Sequence, residues 1–215
     1  MKLRMTRLAK SLAATAVLTF ATSASAVTLL TLQSEPAQTL GPQSASAPCI
    51  IAGTQCQNPA GFGFTNFVQS GNVSSYDEVS PIYTVSQLPF LSFKVAIDVN
   101  TANGGETLDS FTLFDLTTST LLYSFTGPSL IGDPLPSNGN GYGDWSLGSF
   151  DLSNIALTDQ IQFRAVFSNT SDGAESFFLV STPVVTPVPE PETYALMLAG
   201  LGAVGFMAKR RRKVA

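Results

Sequence analysis

From Leu91 the chain alternates for nine residues: Leu91, Phe93, Val95, Ile97 and Val99 point one way, and Ser92, Lys94, Ala96 and Asp98 point the other. A period of two residues is the mark of a half-buried β-strand. The same habit returns at 110–116 (SFTLFDL), 120–126 (TLLYSFT), 144–152 (DWSLGSFDL), 161–168 (IQFRAVFS) and 175–181 (ESFFLVS), and more faintly at 62–68 and 81–86. Between these runs lie Asn103-Gly104-Gly105, Thr117-Thr118-Ser119, the long GDPLPSNGNGYGD and Asp172-Gly173, all rich in turn-forming residues. About eight short strands with no helical period among them predict an all-β domain over residues 61–181, an antiparallel β-sandwich of jelly-roll-like type. Phenylalanine, 15 residues against one tryptophan, is the expected filling of its core.

Both ends break this pattern. Lys2, Arg4, Arg7 and Lys10 precede an apolar stretch from Leu12, which closes on Ala24-Ser25-Ala26. Cations, an apolar segment and a small-x-small site describe a helical signal peptide, residues 1–26, cut by signal peptidase. Residues 27–60 are rich in Ser, Pro, Gln and Ala and read as a loosely ordered lead-in. At the other end, 182–188 (TPVVTPV) reads as an extended linker, because proline removes the donors a sheet needs. Thr193–Ala208 then carries no charge and is followed by Lys209, Arg210, Arg211, Arg212 and Lys213. As a helix those 16 residues reach ~24 Å against ~30 Å of hydrocarbon. That is enough to stop transfer in a bilayer, with the basic cluster held on the cytoplasmic side. A short span behind a rigid proline motif suggests a segment that is recognised and removed, so the anchoring is transient.

Setting the two ends aside changes the charge. The chain has 11 Lys and Arg against 15 Asp and Glu. Nine of the cations lie in the ends, which leaves Lys94 and Arg164 to face thirteen acids between Glu35 and Glu175, a net charge of -11. Such a domain repels nucleic acid and anionic lipid. Cys49 and Cys56, in CIIAGTQC, are the two cysteines, and in an oxidising exported compartment they are expected to form a disulfide.

The chain has no histidine, which removes Ser-His-Asp and Cys-His catalysis and the commonest zinc ligand. Chemistry on paired carboxylates is what remains, with Asp98, Asp109, Asp144, Asp151 and Glu175 as candidates for glycoside cleavage. The competing reading is that these acids flank turns and outward faces, where they solvate the domain. In GDPLPSNGNGYGDW, Asp133, Asn138, Asn140 and Asp144 are hard oxygen donors that could hold Ca²⁺, although the spacing is not that of an EF-hand. The same Asn and Gly residues suit tight turns. No other cofactor is expected. Tyr142 and Trp145, with Tyr76 and Tyr83 behind them, are the candidates for contact with a sugar, and Trp145 shares its strand face with Leu147.

VPEPETYALMLAGLGAVGFMAKRRRK closely resembles the PEP-CTERM sorting signal of Gram-negative bacteria. The resemblance covers residues 189–215 and implies Pro189, Glu190 and Pro191 as the recognition motif, Thr193–Ala208 as the transient span and Lys209–Lys213 as the retention cluster. It further implies an exosortase-type processing enzyme as partner and an association with exopolysaccharide and biofilm. The leading expectation is therefore a non-enzymatic protein exported across the inner membrane to the cell surface or extracellular matrix. Two other classes stay open: a secreted carboxylate-dependent glycan hydrolase or lyase, and a calcium- or ice-binding sandwich module.

Overall fold

A computed structural model describes residues 26–35, 39–53, 56–67, 73–100, 105–132, 141–170 and 175–182. The expected signal helix, membrane span, sorting motif and basic cluster lie outside them. Twelve strands run in chain order: β1 (Thr28–Leu29), β2 (Thr31–Ser34), β3 (Cys49–Ala52), β4 (Thr65–Asn66), β5 (Val73–Val79), β6 (Tyr83–Thr84), β7 (Ser92–Asp98), β8 (Glu106–Asp115), β9 (Thr120–Ile131), β10 (Trp145–Asp151), β11 (Gln160–Thr170) and β12 (Ser176–Ser181). One six-stranded sheet has the order β1-β9-β8-β11-β5, with β6 also on β11, and the other is β2-β10-β7-β12-β3-β4.

The sheets are mixed rather than purely antiparallel, because β1 pairs β9 in parallel and β3 pairs β4 in parallel. The reason lies at the edges. Both parallel pairs involve a two-residue strand and neither is a hairpin: β1 and β9 lie far apart along the chain, and residues 53–64 connect β3 to β4. The long central strands pair antiparallel as their alternation predicts.

Facing strands meet through aromatic rings. Phe93 of β7 stacks on Phe150 of β10 at 4.9 Å and meets Phe163 of β11, in the opposite sheet, edge-on at 6.2 Å. Phe111 of β8 stacks on Phe177 of β12 at 5.6 Å. These rings are fully buried, and each contributes both area and a favourable ring geometry. The Tyr123 hydroxyl ties the sheets again, donating to Asp151 O at 2.8 Å and accepting from Asp151 N at 2.9 Å.

Residues 27–60, expected as a loose lead-in, carry β1, β2 and β3. They also lay a second, smaller apolar cluster on the outer side of β7 and β12, where Ala47, Cys49 and Ala52 pack with Ala96 and Phe178. Strand β7 is thus covered on both faces, and its Ala96 and Asp98 are buried along with Phe93, Val95 and Ile97.

Candidate functional site

Cys49 and Cys56 form the expected disulfide. Beside it, the Asn58 side chain accepts from Cys49 N at 2.8 Å and donates to Cys49 O at 2.9 Å and to Phe62 O at 3.2 Å. Together these fasten residues 56–63 to the buried strand β3. Phe62 is thereby laid flat on Tyr83, with ring centroids 4.9 Å apart and planes within 10°. The Tyr83 hydroxyl donates to Gly63 O at 2.7 Å, and burial pushes its pKa far up, so it does not ionise at any ordinary pH.

Across from this wall, Pro81 and Ile82 lead into β6, and a 3-10 turn (Val85–Gln87) follows, capped by the Gln87 side chain, which accepts from Thr84 N at 2.7 Å. The two walls enclose a groove of about 360 Å³, with Pro59, Pro81, Pro89, Phe62, Ile82 and Gln87 on its surface. None of its ten lining residues is charged, and Ile82 is 53% exposed within it. Residue chemistry of this kind binds through shape and apolar contact.

The acids expected to offer catalysis are placed elsewhere. Asp98, Asp144 and Glu175 are buried, Asp109 is half-buried on β8, and exposed Asp151 accepts from Ser153 N at 2.9 Å in a turn. Glu175 leads into β12 and bonds the Glu106 carboxyl, with Asp98 near enough to act on it electrostatically. Burial, then the bond to Glu106 and the charges of Glu106 and Asp98, raise the Glu175 carboxyl well above the usual carboxylate range. Sequence reading passed over Glu106 entirely. Its one available signal was parity, since Glu106 shares a face with core Leu108 two residues along β8.

Of the four calcium candidates, Asp133, Asn138 and Asn140 lie outside the described residues. Asp144 is buried, and its Oδ2 accepts from Val99 N at 3.0 Å. Among the described residues no group of three or more acids or thiols is placed to hold a metal ion.

The sugar-contact candidates diverge. Trp145 is half-buried against the main core, and its indole N–H donates to Gly132 O at 2.8 Å. Tyr142 stands at the surface, 36% exposed, held by an antiparallel bridge to Pro42, and the next residue along, Gln43, donates its backbone N–H to Gly141 O at 2.8 Å. Among the described residues it is the one aromatic side chain in the exposed class. Tyr76 and Tyr83 are drawn inward, where Tyr76 stacks on Phe167 at 5.1 Å.

The two cations of the domain are both engaged. Arg164 grips Asp77 with two hydrogen bonds, Nε to Oδ1 at 2.7 Å and Nη2 to Oδ2, which hold the Asp77 carboxyl below its ordinary range. Lys94 lies 3.5 Å from Glu35. Burial works to raise that carboxyl, but hydrogen bonds from Ser146 and Thr39 together with Lys94 bring it below its usual value.

Two features therefore define the class of protein: an aromatic-cored β-sandwich and a C-terminal sorting tail. Residues 187–212 match the model of the PEP-CTERM protein-sorting motif, which begins two residues before Pro189 and covers all but Lys213 of the basic cluster. The motif implies export and processing by an exosortase, a membrane-embedded enzyme of Gram-negative bacteria. No curated protein and no solved structure matches the chain. Among the described residues no helix is long and apolar enough to cross a membrane.

Proposed function

We propose that the protein is a non-enzymatic component of the cell surface or extracellular matrix, sorted through its C-terminal signal, whose sandwich adheres to extracellular polysaccharide. The observation that carries this reading is the contrast between Tyr142 and the carboxylates. Tyr142 presents a ring at the surface, the kind of face that stacks on a sugar, while Asp98, Asp144 and Glu175 are withdrawn from solvent. Both domain cations are held by acids, so an acidic polysaccharide meets repulsion, and the preferred partner is a neutral one.

The test is retention of the exported, tail-processed protein on a panel of neutral and acidic polysaccharides, with reducing-sugar release followed in the same samples. Wild type is expected to stay on a neutral polysaccharide, Tyr142→Ala to lose at least five-fold of that retention, and neither to release sugar. Retention on none of the panel would sink the binding reading. Sugar release that survives Tyr142→Ala would favour the hydrolase instead.

A further inference from the structure

We infer that the groove between residues 59–63 and 81–89 seats the protein's own proline-rich segment, residues 183–189 (PVVTPVP), and so fixes where the sorting motif leaves the domain. The first support is the direction of the chain. Thr182 N donates to Ser92 O at 3.2 Å, and the Thr182 and Ser92 hydroxyls bond at 2.9 Å. Because β12 runs antiparallel to β7, a chain continuing in that direction beyond Thr182 would pass Leu91, Phe90 and Pro89. Pro89 and Gln87 belong to the groove.

Distance agrees with direction. Thr182 is bonded to Ser92, and the groove residue Pro89 stands three positions before Ser92, no more than about 11 Å along the chain. Seven residues in polyproline conformation, at ~3.1 Å each, reach roughly 22 Å and exceed that separation.

The chemistry matches as well. Residues 183–189 carry no charge and contain Pro183, Pro187 and Pro189, and the groove that would receive them is uncharged too. Proline-rich segments dock against aromatic and proline surfaces at low entropic cost, because their extended helix is formed beforehand. A seated linker would hold Pro189-Glu190-Pro191 beside this end of the sandwich. Tyr142 belongs to the other end: Asp144 N donates to Ile97 O, near the far end of β7 from Ser92 and roughly 17 Å away along the strand. The linker would leave from one end of the domain while polysaccharide is met at the other.

The test uses the full-length precursor in detergent micelles with the photo-crosslinking amino acid p-benzoylphenylalanine in place of exposed Ile82. Intramolecular adducts mapping to residues 183–189 by mass spectrometry are expected. Adducts only with other molecules, or none, overturn the proposal. A second measurement is elastase cleavage within 183–189: Ile82→Asp is expected to speed it at least five-fold with an unchanged melting temperature. Equal rates in wild type and the variant count against docking.

Discussion

Glu175 and Glu106 meet carboxyl to carboxyl between the two sheets, one leading into β12 and the other opening β8, both without solvent exposure. Two carboxylates cannot hydrogen-bond each other unless one keeps its proton, and Asn100 N already donates to Glu175 Oε2 at 2.6 Å. The buried Tyr76 ring and Asp98 add further negative or low-polarity surroundings, so the proton stays on the pair.

This pair sets a direction for stability against pH. The folded Glu175 pKa lies above its unfolded value, so the fold binds a proton that the unfolded chain releases above about pH 4.5. Its contribution is complete below that pH and drains away as pH rises through the folded pKa. Urea midpoints are expected to fall from pH 5 to pH 9. Glu175→Gln, which keeps a donor toward Glu106 and cannot ionise, is expected to flatten that slope. A wild type equally stable at pH 9 would contradict the shared proton. The Arg164–Asp77 pair pulls the other way, losing its contribution as pH falls through the depressed Asp77 pKa. Being about half exposed, that pair is worth only about 0.2–1 kcal/mol, so it does not mask the alkaline trend.

Cys49 and Cys56 stand seven positions apart, and the disulfide closes a correspondingly short loop. On loop-closure entropy alone its loss costs about 2.5 kcal/mol. Cys56→Ser is expected to lower the urea midpoint accordingly and to free the wall at Pro59–Gly63, whose remaining tie to β3 is Asn58. Hydrogen exchange at Phe62 and Gly63 should rise more than exchange at Phe163. Equal increases at both would mean the bridge stabilises the whole sandwich and not the groove.

The legible part of this fold is the part whose inward face carries large apolar side chains at every second position. Strands β7 to β12 follow from their alternation, because burial of Phe93, Val95 and Ile97 demands it. Strand β5 (VSSYDEV) shows no alternation, since its apolar residues are Val73 and Val79 at the two ends and Tyr76 on the opposite parity, with polar residues between. β1 and β2 are exposed edge strands with little apolar signal. β3 hid inside a segment whose cysteines drew attention to redox chemistry. The cysteine pair could be read because compartment and count suffice. Contacts such as Glu106 with Glu175, or Phe62 with Tyr83, join residues brought together only by sheet register and loop path. No local pattern encodes them.

Gly143 illustrates a constraint set by close approach. A Cβ there would lie 2.9 Å from the Ala96 Cβ and 3.3 Å from the Leu40 side chain, with the Phe178 ring at 3.4 Å. Those neighbours form the outer apolar cluster and have little room to yield. Gly143→Ala is expected to cost roughly 1–3 kcal/mol through overpacking, read as a lower urea midpoint. Gly148→Ala is the control, because its Cβ would meet only the flexible Lys94 stem at 3.6 Å. Similar losses at both positions would remove the packing explanation.

The sorting tail can be tested apart from the domain. Its uncharged stretch, Thr193–Ala208, is short for a permanent span, and the cations at Lys209–Lys213 resist passage through the membrane. On the proposed reading, a chain held in this way would be presented at Pro189-Glu190-Pro191, inside the matched motif, to an enzyme within the same bilayer. Replacing Glu190 with Ala is therefore expected to leave full-length chain in the membrane fraction while the domain's melting temperature stays unchanged. Removing the basic cluster instead should weaken retention and allow unprocessed chain to escape. Intact mass on surface-released wild type settles the order of events. Loss of residues 193–215 is expected, and finding them still attached would show that the tail is a lasting anchor.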